Sequence, residues 1–265
     1  MGKQPGSLSL PKLLPNIFTT IGLCSGLTGI RFALEADWEN AVFLILIAAC
    51  FDMIDGLSAR LLKAFSPFGA ELDSLADTIS FGVAPAIITY LYIEKGGIEG
   101  PLLAWYWMPC LFFSACNAFR LARFNVMHLG EDETKSTKSY FVGMPAPAAA
   151  GLVLMPLGFD NILVGFQEPA QDVNAEAARV LMHYPTWIIG WVIIVSLLMI
   201  SRLPTFSFRN VRFNVPRNKA LIVLLAVCSC VPLLINKTWI FLFSLGVLYF
   251  LSIPFAYWTH RKDAA

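Results

Sequence analysis

Four aspartates in DMIDGLSARLLKAFSPFGAELDSLAD, residues 52–77, are the part of the chain best suited to chemistry. Asp52 and Asp55 are three apart, and Asp73 and Asp77 four apart. On helices these spacings put each pair on one face. Two helices can therefore aim both pairs at a shared point. Such a cluster repels itself unless it is protonated or balanced by a cation. Oxygen ligands with no nearby His or Cys favour a hard ion, Mg²⁺ or Mn²⁺. Mg²⁺ is commonly held by a few carboxylates together with substrate phosphates, and Arg60 adds an anion-binding group, so the stretch suits a phosphate or diphosphate. Gly56 and Ala59, one turn from Asp52 and Asp55, would let a bulky ligand approach the backbone. The plain alternative is a set of solvated helix-end charges, against which the interleaved Arg and Gly argue.

The elements that must hold these acids are membrane helices. Of the 265 residues, 57% are apolar and 14% charged, whereas a soluble domain is about 25% charged. The expected fold is all-α and integral to the membrane, with about eight spans near the roughly 20 residues that cross a bilayer. They are expected at 13–34, 40–62, 70–93, 102–124, 146–166, 187–200, 220–235 and 239–258. The chain reads as one domain over 1–265, with 1–12 an N-terminal cytoplasmic segment and 218–265 an extra C-terminal helix pair. Pro15 and Asn16 suit a helix start, and Gly22, Ser25, Gly26 and Gly29 suit close helix packing. The six cysteines lie in apolar segments without a CxxC and read as buried hydrophobes. No cleavable-signal pattern is present, so the first apolar segment is expected to be a retained span.

Charge sets the expected orientation. In the eight-span reading only Arg31, Lys95, Arg179 and Lys237 of the 19 Lys and Arg residues fall opposite the N-terminal side. This positive-inside bias puts both termini, and the 52–77 stretch, at the cytoplasmic face of the cell (inner) membrane. No basic stripe suggests nucleic acid. The basic loop at 202–219 is expected to hold topology and meet anionic lipid. Trp105, Tyr106 and Trp107 read as an aromatic belt at the outer interface. His128, His183 and His260 share no spacing.

The pattern D-x2-D-G-x2-A-R-x8-G-x3-D-x3-D is filled by Asp52, Asp55, Gly56, Ala59, Arg60, Gly69, Asp73 and Asp77. It resembles the signature of the CDP-alcohol phosphatidyltransferases. The resemblance implies a six-helix family core and two Mg²⁺ or Mn²⁺ ions held by Asp52, Asp55, Asp73 and Asp77. It implies a CDP-linked lipid against Asp55, Gly56, Ala59, Arg60 and Gly69. It also implies that Asp77 deprotonates the acceptor hydroxyl, which attacks the β-phosphorus and expels CMP. Asn16 and Thr19 resemble the family's nucleotide-contacting PNxxT element; the alternative is a helix N-cap and a backbone-bonded threonine. The family is often homodimeric, and the small-residue faces fit a dimer.

Further stretches are similar to the phosphatidylserine synthase branch: LPNIFT, ELDSLADTISFGVAPA, RLARFN and VGMPAPAAAG, with SRLPTFSFR a looser match. They imply CDP-diacylglycerol and L-serine as substrates, with Arg120, Arg123 and Asn125 binding serine or phosphate. Arg120 and Arg123 share a helix face, where a guanidinium can grip a carboxylate bidentately; positive-inside anchoring is the bland alternative. Choline or glycerol 3-phosphate is the alternative acceptor. A divalent-cation transporter is the alternative class, disfavoured because the acids lie toward one helix end beside Arg60.

Overall fold

The computed structural model describes residues 10–62, 64–96, 100–129, 140–142, 144–158, 185–201, 204–206 and 237–263. Helix α1 (Leu10–Leu34) turns back through α2 (Trp38–Leu61), whose start is capped by Asp37 accepting from the Asn40 amide. Helix α3 (Pro67–Asp77) opens with Pro67 in its first turn, after the N-cap Ser66, which accepts from the Gly69 amide at 3.0 Å. A proline there gives up no bond, because that N–H would be an orphan. A π turn (Thr78–Val83) then leads into α4 (Ala84–Lys95). Pro85 supplies a reason for the wide turn: it cannot donate, and its ring would crowd the carbonyl four residues back. Helix α5 (Pro101–Leu129), α6 (Ala146–Leu154) with a 3₁₀ turn (Met155–Gly158), α7 (Pro185–Ile200) and α8 (Thr238–Asp263) follow.

Among the described residues, four units are long and apolar enough to cross a membrane: Leu13–Leu34, Trp38–Leu61, Pro67–Lys95 and Pro101–Val126. Ala146–Gly158, Thr186–Ile200 and Thr238–Ser252 are shorter apolar helices. The expected span at 220–235 and the end of that at 146–166 lie outside the described residues. Leu27, Met108, Leu111, Phe112 and Phe119 are exposed on the long helices, an outward apolar surface that suits lipid. The chain is therefore consistent with an integral membrane protein. One departure from an all-α fold is a short antiparallel ribbon, β1 (Tyr140–Val142) with β2 (Pro204–Phe206), pairing Tyr140 with Phe206 and Val142 with Pro204.

The helix start expected at Pro15 is corrected. Helix α1 begins at Leu10 and carries Pro15 inside it. Asn16 is accordingly not a cap; its carbonyl accepts from Thr20 Oγ1 at 2.7 Å within the helix.

The small residues of α1 are used within the chain. An added Cβ at Gly29 would lie 3.0 Å from the Ala41 carbonyl, and at Gly22 3.4 Å from Phe51 Cβ. At Gly26 it would lie 2.7 Å from Ser80 Oγ. The stripe behind the expected dimer face thus packs α1 onto α2 and onto the π turn.

Two apolar clusters join the bundle. One contains Val42, Ile45, Phe81, Ile88, Leu154 and Trp239; the other contains Phe113, Leu152, Val192, Met199 and Tyr249. Helix α8 is therefore built into the core beside the acid-bearing helices. Trp239 lies so close to Gly158 that a Cβ there would be 2.3 Å from its ring.

Candidate active site

The α2–α3 hairpin brings the two acid pairs face to face. At 1.5 Å per residue, the four acids sit about 9–15 Å from the hairpin end of their helices. They are therefore recessed within the spans. One carboxylate oxygen from each of Asp52, Asp55 and Asp73 lies within 4.8 Å of the others. Asp77 is not one of these three but lines the same cleft, together with Thr19, Gly22 and Ser80. The acids thus divide into three and one.

Thr19 of α1 reaches across to the trio. Its Oγ1 donates to Asp55 Oδ2 at 2.6 Å and also lies 3.0 Å from the Pro15 carbonyl. Both Thr19 and Asp55 are buried. Asp55 is thereby held by one oxygen, and its backbone carbonyl accepts from Ser58 Oγ at 2.9 Å. Hard oxygen donors at this separation fit a divalent cation, and the trio can hold one. Gly56 leaves open space: a Cβ there would meet nothing within 4 Å.

Below Asp77 the π turn is clamped from two sides. On the α1 side Ser80 Oγ lies 3.5 Å from the Gly22 carbonyl, against Gly26. On the α5 side Ser114 Oγ donates to the Gly82 carbonyl at 2.9 Å. Two turns further along α5, Arg120 lies within electrostatic reach of Asp77 and Asp52, and of Tyr249 on α8. Asn125 Nδ2 donates to Ser74 Oγ at 2.9 Å, next to Asp73 in sequence.

An arrangement of three hard donors, a fourth acid and a nearby guanidinium, under the full spacing pattern, can be compared with known proteins. Residues 12–197 match the CDP-alcohol phosphatidyltransferase family. The chain belongs to this family. Among its relatives, a protein of Mycobacterium leprae (strain TN) named CDP-diacylglycerol–serine O-phosphatidyltransferase is 34% identical over 259 residues, 96% of this chain and 77% of that one. A protein of the same name from Helicobacter pylori is 31% identical over 224 residues, 83% of each chain. One from Saccharomyces cerevisiae is 39% identical over 156 residues, 54% of each. The chain is a transferase of the family that passes a phosphatidyl group from a CDP-linked lipid to an alcohol.

The other residues expected at the site take different positions. Ala59 is partly buried, and Arg60 is exposed near the end of α2. Gly69 packs against Asn16, whose Oδ1 would lie 2.8 Å from a Cβ there, so these two meet each other. Arg120 and Arg123 diverge: Arg120 is partly buried toward the acids, and Arg123 is exposed. Their three-residue spacing leaves them about 60° apart around the helix, enough to separate them. Four participants were missed from sequence: Ser74, Ser80, Ser114 and Asn117. Ser114, Asn117 and Arg120 recur every three residues after a largely apolar first half of the helix, a polar stripe that could have pointed to Asn117.

Proposed function

We propose that the chain transfers the phosphatidyl group of CDP-diacylglycerol to L-serine, giving phosphatidylserine and CMP. The observation behind the mechanism is the division of the acids into a trio and a separate Asp77. The names of the relatives support serine as the acceptor.

In this reading Asp52, Asp55, Asp73 and Asp77 would hold two Mg²⁺ or Mn²⁺ ions. Such ions, when bound, supply Lewis acidity toward the diphosphate. Gly56 leaves room for the CDP-lipid backbone beside the trio, with Ala59 and Arg60 continuing that wall. Asp77 takes the proton from the serine hydroxyl. The serine oxygen then bonds to the β-phosphorus as the bond from that phosphorus to the CMP oxygen breaks, and CMP leaves. Arg120 offsets the negative charge near Asp77 and grips either the serine carboxylate or a phosphate. Asn125 orders Ser74 at the edge of the trio. The exposed Arg123 meets phosphate at the membrane surface. Both termini and the mouth of the cleft face the cytoplasm, where serine is soluble and available.

The family match ends before residue 218, which supports reading 218–265 as an addition to a six-helix core within one domain. A homodimer would need faces other than the Gly22–Gly29 stripe.

The acceptor is tested by incubating the pure protein with CDP-diacylglycerol, Mn²⁺ and single alcohols while following CMP. Release with serine is expected. Turnover with choline or glycerol 3-phosphate and none with serine would sink the assignment. Asp77→Asn is expected to lower kcat by about 10²–10⁴ while some Mn²⁺ binding, at the trio, persists; a near wild-type rate would remove Asp77 as the base.

A further inference from the structure

Asn117 of α5 is fully buried in an apolar bundle. Its Nδ2 points at the backbone carbonyl of Asp77, 3.5 Å away. Its Oδ1 has no hydrogen-bond partner among the described residues. The opposite amide orientation would set oxygen against oxygen. A half-satisfied amide costs desolvation that an apolar side chain of similar size would avoid, so packing alone does not account for it.

The residue it faces is equally constrained. A Cβ at Gly82 would lie 2.5 Å from Asn117 Nδ2 and 3.2 Å from its Cβ. Glycine is needed there for Asn117 to lie against the π turn. One turn back on α5, Ser114 holds the carbonyl of the same Gly82. Thus α5 grips both ends of Thr78–Val83, the segment that begins immediately after Asp77. A π turn offsets the helix on one side from that on the other. Whatever fixes this turn fixes the direction in which the Asp77 side chain leaves its helix.

We propose that Asn117 is a positioning residue for Asp77, locking the π turn so that the carboxylate is aimed into the cleft. This rests on the reading of Asp77 as the base that takes the acceptor's proton. Asn117 touches neither substrate and acts only through the turn. Gly82 is its obligatory partner.

The test uses the full chain in detergent or nanodiscs, with CDP-diacylglycerol and whichever alcohol it turns over. Asn117→Ala and Gly82→Ala are each expected to lower kcat about ten- to a hundredfold, the usual consequence of small misplacement. KM for both substrates and Mn²⁺ affinity at the trio should stay within about twofold, since those three acids are untouched. The double variant should be no slower than Asn117→Ala, because the added methyl no longer has an amide to displace. Wild-type kcat in folded Asn117→Ala overturns the proposal. So does a parallel loss of Mn²⁺ affinity at the trio, or fully additive losses in the double variant. If Asn117→Ala does not fold, Ser114→Ala takes its place, with a fall in kcat at constant KM expected and an unchanged kcat overturning the proposal. Asp77→Asn separates the two readings. If that variant keeps its rate, the base assignment fails; if it is inactive while Asn117→Ala is unaffected, only the positioning role fails.

Discussion

Thr19→Val removes a single hydroxyl and keeps the side-chain shape, so it isolates the bond between Thr19 Oγ1 and Asp55 Oδ2. That bond is 2.6 Å long, links α1 to α2, and joins two side chains that are only 6% and 5% exposed. Hydrogen bonds to charged groups contribute about 1.5–3 kcal/mol. One proton serves both Asp55 and the Pro15 carbonyl at 3.0 Å, but the shorter contact to the charged oxygen takes most of it. At 1.4 kcal/mol per decade the range is about 10- to 150-fold, which overlaps the 10–100-fold typical when a metal ligand loses its outer partner. Without the hydroxyl, Asp55 is free to turn, and binding an ion must then order it. We therefore expect Thr19→Val to weaken Mn²⁺ binding about ten- to a hundredfold. Thr19→Ser, which keeps the donor, should stay near wild type. The assay is a titration of free Mn²⁺ by electron paramagnetic resonance on purified protein, with thermal unfolding alongside. An unchanged Mn²⁺ affinity in folded Thr19→Val would refute the reasoning, and a drop in unfolding temperature alone would reduce Thr19 to a helix-packing contact.

Three further substitutions address other parts of the site. Gly26→Ala forces a methyl to 2.7 Å from Ser80 Oγ and 2.9 Å from its Cβ; we expect about 1–3 kcal/mol of destabilisation, read as a lower unfolding temperature, and no change would mean that α1 shifts freely. Gly56→Leu adds a side chain into open space; the protein should fold with its ordinary unfolding temperature but show a raised KM for CDP-diacylglycerol, and an unchanged KM would take Gly56 off the lipid's path. Arg120→Lys keeps a positive charge but loses the planar fork; a raised KM for one of the two substrates is expected, and unchanged values for both would leave Arg120 as a charge balance for Asp77.

The acids were readable because chemistry of this kind depends on residue type and on spacing along a helix. The three- and four-residue intervals put each pair on one face, and Ser66–Pro67 marked the hairpin that lets the faces meet. Helix ends were less readable: Pro15 resembles a start signal, yet α1 runs through it to Leu10. The division of the acids into three and one was not visible, since it depends on how α2 and α3 lean together. The π turn was also hidden. TISFGV has no pattern that separates a wide turn from an ordinary one, and only Pro85 downstream hints at it. Cross-helix partners such as Asn117 to Asp77 and Asn125 to Ser74 depend on how α5 is rotated, which an apolar span leaves undetermined. The glycines of α1 illustrate the same limit. Their smallness was evident, but whether they face another copy or the chain's own Ser80 depends on the bundle.

The seating of Trp239 against Gly158 bears on the order in which the protein is made. All four aspartates and the polar residues of α5 have been synthesised well before residue 238 leaves the ribosome. The cluster around Phe81, a residue of the π turn itself, is completed only when Trp239 and Leu242 arrive. A nascent chain halted before α8 would carry every acid of the cleft on an unfinished scaffold. Competence would then wait until α8 inserts beside the helices already in place.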